Sequence, residues 1–212
     1  MDKNVNNNGY DYVDLGLPSG TLWATMNVGA SKPSDCGLYF QWGDTVGYTK
    51  EQVGKGEEQK KFASDWNDYK WYLSGSKNED NLTFKKYKAK GEELELEDDA
   101  AHVNMGGDWH MPTSDQIQEL IGSTTSTWVV QDNVNGRLFT SKKDGMKSIF
   151  IPAAGCAWDG SINGSGSNGY VWSSLLSTNY VLIGRHLSFK SGGTFLISIN
   201  RGYGLSVRGV IG

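Results

Sequence analysis

At 212 residues the chain is long enough to bury a real core, as one large domain or two small ones. Aromatics at 12% with eight Trp outweigh the low apolar share of 37%, so a globular protein is expected rather than a disordered one. The net charge of −4 hides an asymmetry: the last acidic residue is Asp159, and residues 160–212 carry only Arg185, Lys190, Arg201 and Arg208. Cations so sparse do not make a surface that tracks phosphates, which argues against nucleic acid as a partner. No run approaches the ~18 apolar residues of a spanning helix, which argues against membrane insertion. The opening MDKNVNNNGYDYVDLGLPSG holds no apolar run of signal-peptide length, so export by an ordinary signal is not expected of the chain as given. Cys36 and Cys156 could form one bridge but no disulfide framework, and two free buried thiols are expected.

Along the chain, short strand-like pieces recur, each closed by turn chemistry: YDYVDLGLPSG, TLWATMNVGAS and GLYFQWGDT. Residues 1–9 read as a flexible start. Residues 43–97 are polar, rich in Lys and Glu and weakly periodic, and read as a long insertion with one helical turn near ELELEDDAAHV. A firm helix follows in MPTSDQIQELIG, where Thr113 is the N-cap, Gln116 completes a capping box, Ile117, Leu120 and Ile121 form one face and Gly122 is the stop. STWVVQDN, NGRLFTSK and KSIFIPAAG come next, with Asn135-Gly136 and Asp144-Gly145 as the expected hairpin turns. The tail offers YVWSS, RHLSFKS, TFLISIN and LSVRGV. The fold class is therefore α+β with mixed, mainly antiparallel sheets, one firm and one short helix, and long loops.

Two motif matches carry little. GSGSNG, residues 164–169, has the spacing of a dinucleotide-binding loop, but no helix-period run follows it, so a flexible loop is expected. EDDAAH, residues 97–102, gathers acids where a helix dipole favours them, so a structural role is expected there rather than a metal site. His102, His110 and His186 sit in no hydrolase or metalloprotease frame and are expected to be surface or packing residues.

VDLGLPSGTLWATMNVGAS, GLYFQWGDT, LEDDAAHVNMGGDWHMPTSDQIQELI, VNGRLFTSKKDG, SIFIPAAG, VWSS and RGYGLSVRGV, in that order, resemble the major paralogous domain family named for its expansion in Fibrobacter succinogenes. The resemblance runs over nearly the whole chain from Tyr10 and misses only parts of the polar middle. It implies a single C-type-lectin-like domain over 1–212, with Trp23, Trp109 and Trp172 in fixed blocks of the core. It also implies kinship with formylglycine-generating enzymes, whose catalytic cysteines lie in the C-terminal part. No cysteine follows Cys156, so that oxidase chemistry does not carry over, and no catalytic residue, metal or cofactor is expected.

The same resemblance implies a variable protein of a diversity-generating retroelement. In such proteins, base changes at template adenines, largely in Asn-type codons, rewrite a C-terminal patch displayed on phage tails or cell surfaces to bind a target. Here the frame would be Trp172, Ser173, Ser174, Leu187, Phe189, Ser191, Gly192, Arg201, Gly204, Ser206, Val207 and Arg208, with Gly184 where the family usually has Ala. The implied variable region is 171–212. The implied binding positions between the anchors are Tyr180, Val181, Leu182, Ile183, His186, Ser188, Lys190, Phe195, Ile197, Ile199, Tyr203 and Leu205. All but Lys190 can be reached from an AAC or AAT codon by changing its adenines.

Strand alternation then places Leu187 and Phe189 on one side and His186, Ser188 and Lys190 on the other, with Phe195, Ile197 and Ile199 exposed beside them. The alternative is that 195–199 is an ordinary buried strand. Calcium-dependent sugar binding is not expected of the tail, since no carboxylate follows Asp159 to hold the ion. WND, residues 66–68, matches a calcium-site signature of sugar-binding C-type lectins, but lacks its usual partner motif and reads as chance. The expected function is non-enzymatic binding of a protein receptor of some acidic character, anchored on Tyr180, Phe195 and Tyr203, at a phage virion or bacterial cell surface. The alternative function is a non-diversified structural or surface-assembly domain of a longer polypeptide.

Overall fold

The computed structural model describes residues 6–62, 66–75 and 82–212. Its first half holds the strands β1 (Asn6–Asn7), β2 (Tyr10–Asp14), β3 (Leu22–Ala24), β4 (Tyr39–Phe40), β5 (Tyr72–Ser74) and β6 (Thr83–Phe84), then the helices α1 (Ala100–Met105) and α2 (Ser114–Ser123). The second half is almost all strand: β7 (Thr124–Gln131), β8 (Val134–Ser141), β9 (Ser148–Pro152), β10 (Cys156–Trp158), β11 (Ser161–Asn163), β12 (Asn168–Leu176), β13 (Ile183–Lys190), β14 (Gly193–Asn200), β15 (Leu205–Ser206) and β16 (Val210–Ile211). The architecture is mixed α+β, and its sheets are mostly antiparallel.

The central sheet runs β14-β13-β12-β15-β4 and is antiparallel except where β12 meets β15. A second sheet, β1-β2-β3-β16, joins the two ends of the chain by pairing Val210 with Trp23, and a third is the meander β7-β8-β9. Two large apolar cores result. One gathers Trp42, Trp109 and Trp172 with Phe40 and Leu176; the other gathers Trp23, Ile117, Leu120, Phe139, Leu187 and Phe189. The three Trp expected in the core, Trp23, Trp109 and Trp172, are all 0% exposed.

Local chemistry sets several elements as read from the sequence. The Thr113 hydroxyl accepts the Gln116 amide at 3.2 Å while the Gln116 side chain accepts the Thr113 amide at 2.9 Å, a closed capping box. Asp99 caps α1 by accepting the amides of Ala101 and His102. The turn between β8 and β9 is shifted by one residue from the expected dipeptide: the Lys147 amide bonds the Asp144 carbonyl, so Gly145 and Met146 are its central residues. Residues 164–167 form a turn that feeds β12, and no helix follows it.

Other expectations are corrected. Gly122 does not stop α2: the helix continues to Ser123 and ends because the chain turns straight into β7, with Thr124 in extended conformation. The β7-β8 turn is not Asn135-Gly136 but Asp132 and Asn133, whose φ of 50° and 64° give the left-handed pair that a two-residue hairpin loop requires. Gly136 lies inside β8, where a Cβ would come within 2.4 Å of both the Phe150 ring and the Ile151 carbonyl. Of the start expected to be flexible, 1–9, residues 1–5 lie outside the described residues and 6–9 are not loose: β1 pairs with β2, and the Asn7 carbonyl accepts Trp109 Nε1 at 3.0 Å. The 43–97 segment is polar only on average. Phe62, Trp66, Tyr69, Phe84 and Tyr87 in it are all buried, and Trp66, Tyr69 and Phe84 meet edge to face.

Of the four cations in the tail, two belong to the scaffold. Arg208 is fully buried, donating to Asn27 Oδ1 and to the carbonyls of Ala24 and Phe150, and burial pulls its pKa down to about 9. Arg201 lies 3.6 Å over the Phe84 ring and donates to the Tyr87 and Val181 carbonyls, tying the tail to the 43–97 segment.

Candidate functional site

The two sides of β13 meet different surroundings. Leu187 and Phe189, at 0% and 1% exposure, enter the second core, and α2 packs across this side of β12, β13 and β14. On the opposite side the register sets Ser188 between Tyr170 of β12 and Phe195 of β14, and His186 between Trp172 and Ile197. One step further, Gly184 faces Ile199, and a Cβ on Gly184 would lie 3.0 Å from both the Trp42 and Trp172 rings. The face is therefore roofed by tryptophans at its Gly184 end and open toward Lys190.

The strand β14 closes the sheet as an edge strand, with β13 its only partner among the described residues and no residue of its own buried. Phe195 and Ile197 are 48% and 47% exposed, while Leu196 between them turns into the second core. The segment 195–199 is thus not a strand covered on both sides. Beside this face, Trp158 of β10 stacks on Tyr203 with centroids 5.5 Å apart. Burial raises the pKa of both Tyr203 and Tyr170, and each feels the buried Cys156 thiol, so the three sit in one neighbourhood. Tyr170 in turn lies 5.7 Å from the His186 ring.

The twelve residues implied as binding positions do not share one surface. Ser188, Lys190, Phe195, Ile197 and Ile199 occupy the sheet face, and Tyr203 packs beside Trp158. Tyr180 is 64% exposed in the turn before β13. The neighbouring Val181 and Leu182 pack partly against the Trp66, Tyr69 and Phe84 cluster, next to an open groove of about 350 Å³ lined by Leu73, Leu82, Thr83, Phe84, Lys88 and Val181. Ile183 pairs with Asn200 at the start of β13, on the side that carries Leu187.

Two positions are corrected outright. Leu205 is 0% exposed in β15, paired with Phe40, because the strand lies in the interior of the central sheet. His186 is 1% exposed, since Tyr170, Trp172 and Ile197 close around it. Neither of its ring nitrogens has a well-formed hydrogen bond among the described residues, and the Gly184 backbone reaches the ring only weakly. Burial drives its pKa down to about 4, against a smaller opposing pull from the Gly184 backbone. Arg185 points to the helix side, paired with Ser198, so the cationic character expected of the face reduces to Lys190. Trp158 is the residue that sequence reading missed. It sits in no alternating run, and only its stacking on Tyr203 marks it.

The other residues with candidate chemistry are held as follows. The Lys86 ammonium bonds Glu95, Glu97 and Asp98 at 2.6, 3.0 and 2.6 Å, filling the middle of that acidic group. His102 Nδ1 and His110 Nδ1 face the Trp109 and Met111 carbonyls at 3.1 and 2.9 Å. In the WND stretch Trp66 is a buried core residue, and Asp68 lies 3.9 Å from Lys60. Both cysteines are free, Cys156 buried and Cys36 half-buried. No helix among the described residues is long and apolar enough to cross a membrane. No family model matches the chain, and neither a curated protein nor a solved structure matches it.

Proposed function

We propose that the protein is a non-enzymatic binding module that presents the open side of β13 and β14, with Trp158 and Tyr203 alongside, to a protein receptor. The observation that carries this reading is Phe195 and Ile197, nearly half exposed on an edge strand whose opposite side is anchored in the core. Burying such side chains fully is worth about 1.5–3 kcal/mol each, so a partner that covers the exposed half gains about 1 kcal/mol from each. Aromatic residues ringed by aliphatic ones are also the composition of interface hot spots. On this reading the scaffold is C-type-lectin-like, the chain resembles the variable proteins of diversity-generating retroelements, and display on a phage virion or bacterial surface follows.

The test is capture from extracts of candidate target cells by the immobilised protein and by a Phe195→Asn, Ile197→Asn variant, with and without chelator. Retention by the parent alone, abolished by protease treatment of the extract and indifferent to chelator, is the expected result. Equal retention by both proteins, survival of proteolysis or loss with chelator would overturn the reading.

A further inference from the structure

Among the described residues three side chains of the central sheet hold buried polar atoms without a hydrogen-bond partner, Arg185, Ser206 and His186, and of these His186 is the one on the face shared with Phe195 and Ile197. It is buried to 1%, neither ring nitrogen has a well-formed hydrogen bond and only the Gly184 backbone pulls weakly on the ring, which is held edge-on to Trp172 at 5.9 Å and tilted against Tyr170 at 5.7 Å. A neutral imidazole tolerates such a cage, whereas an imidazolium needs a carboxylate or water. Among the described residues no carboxylate acts on His186. The titratable groups nearby are Tyr170 on β12, Arg185 and Lys190 on β13 and, beyond them, Tyr203 and the Cys156 thiol. The strand β14 has no titratable side chain, and no acidic residue follows Asp159 in the sequence. Arg185, as the sequence neighbour, adds repulsion.

The walls of the cage differ in strength. Trp172 is fixed by its Nε1 bond to the Phe40 carbonyl at 2.7 Å, and β12 lies between two other strands. The Ile197 wall belongs to β14, which is held on one edge alone. We infer that protonation of His186 opens the face by driving β14 away from β13, so that the surface built on Phe195 and Ile197 is disassembled in acid. The inference rests on the proposed binding role only for its consequence, release of a bound partner.

The sign follows from linkage. The closed state holds His186 at a pKa of about 4, and the open state returns it to an ordinary value near 6.5, so the open state binds more protons. Closure is therefore fully favoured above about pH 6.5 and loses ground as the pH falls toward 4. The opening equilibrium should rise roughly twentyfold between pH 7 and pH 5 and about a hundredfold by pH 4.

The Arg201 amide donates to the Leu182 carbonyl, so in the unbroken β13-β14 register the bonded pairs alternate onto Ile199, Ile197 and Phe195. Hydrogen exchange of those three amides, corrected for intrinsic rate and read against the amides of β8, measures the opening directly. Expected is a loss of protection of about twentyfold from pH 7 to pH 5, absent from β8 and absent from a His186→Leu variant. Should that variant not fold, the ring protons of His186 in the parent serve instead, with an expected NMR titration midpoint well below 6. Unchanged β14 protection at pH 5, or a midpoint near 6.5 with β14 still protected, overturns the inference. No receptor enters these measurements, so acid opening without receptor capture would refute the binding role and leave this one standing.

Discussion

The opposed sides of the β13-β14 hairpin make a sharp prediction from one kind of substitution. Phe195→Asn and Ile197→Asn each remove a side chain about half of which is already in water. If complete burial of such a group is worth about 1.5–3 kcal/mol, half of it is about 1 kcal/mol, so the double variant should lose about 2 kcal/mol. At about 2–4 °C per kcal/mol for a chain of this size, its melting temperature falls by roughly 4–8 °C. Leu187→Asn acts one residue from His186 but on the other side, at 0% exposure among Ile117, Leu120 and Phe139. There the loss of a core aliphatic, about 2–5 kcal/mol, adds to about 1–3 kcal/mol for an amide with no partner. Set against a typical total of about 5–15 kcal/mol, that is enough to remove the cooperative transition or nearly so. Urea titrations followed by tryptophan fluorescence and by far-ultraviolet circular dichroism give both values. A double Asn variant that no longer unfolds cooperatively, or a Leu187→Asn protein melting near the parent, would refute the assignment of sides.

Trp109→Ala should cost about 3–5 kcal/mol, because the residue is wholly buried, packs edge-on to Tyr10 and Tyr12 and fastens β1 through the Asn7 carbonyl; a melting point within 2–3 °C of the parent, against the several degrees expected, would contradict it. Gly136→Ala should destabilise by more than about 1 kcal/mol, since its Cβ meets the Phe150 ring and the Ile151 carbonyl, whereas Asn133→Gly in the left-handed turn should be neutral or slightly stabilising; thermal melts of the pair check which dipeptide makes the hairpin.

These contrasts show where the sequence was readable. The capping box of α2 is written within four residues, Thr113 to Gln116, and such local chemistry survives any tertiary context. The turn between β7 and β8 was not readable in the same way, because QDNVNGR offers two turn-capable dipeptides separated only by Val134. The deciding fact is non-local: Gly136 must admit the Phe150 ring from β9, which leaves Asp132 and Asn133 to turn the chain. In residues 43–97 charged side chains dominate the composition and hide the aromatics that pack. Their contacts with Arg201 and Trp42 join residues far apart in sequence, which periodicity does not register.

The candidate face was legible in direction but not in depth. Alternation assigns His186, Ser188 and Lys190 to one side, and the register agrees, yet alternation carries no information about what lies above that side. Depth is set by Trp42, which reaches the Gly184 end from β4's neighbourhood and is fixed there by donating to the Ser173 carbonyl at 2.9 Å. Exposure on β13 therefore grades from buried His186 through half-buried Ser188 to exposed Lys190. On the proposed reading this gradient limits what substitution could rewrite. Changes at Phe195, Ile197 and Tyr180 alter a surface, while changes at His186 or Leu205 disturb the packing of Trp172 or Phe40 beneath it. A diversified patch on this scaffold would thus keep its freedom at the Lys190 end, and its cost in stability would rise residue by residue toward Trp42.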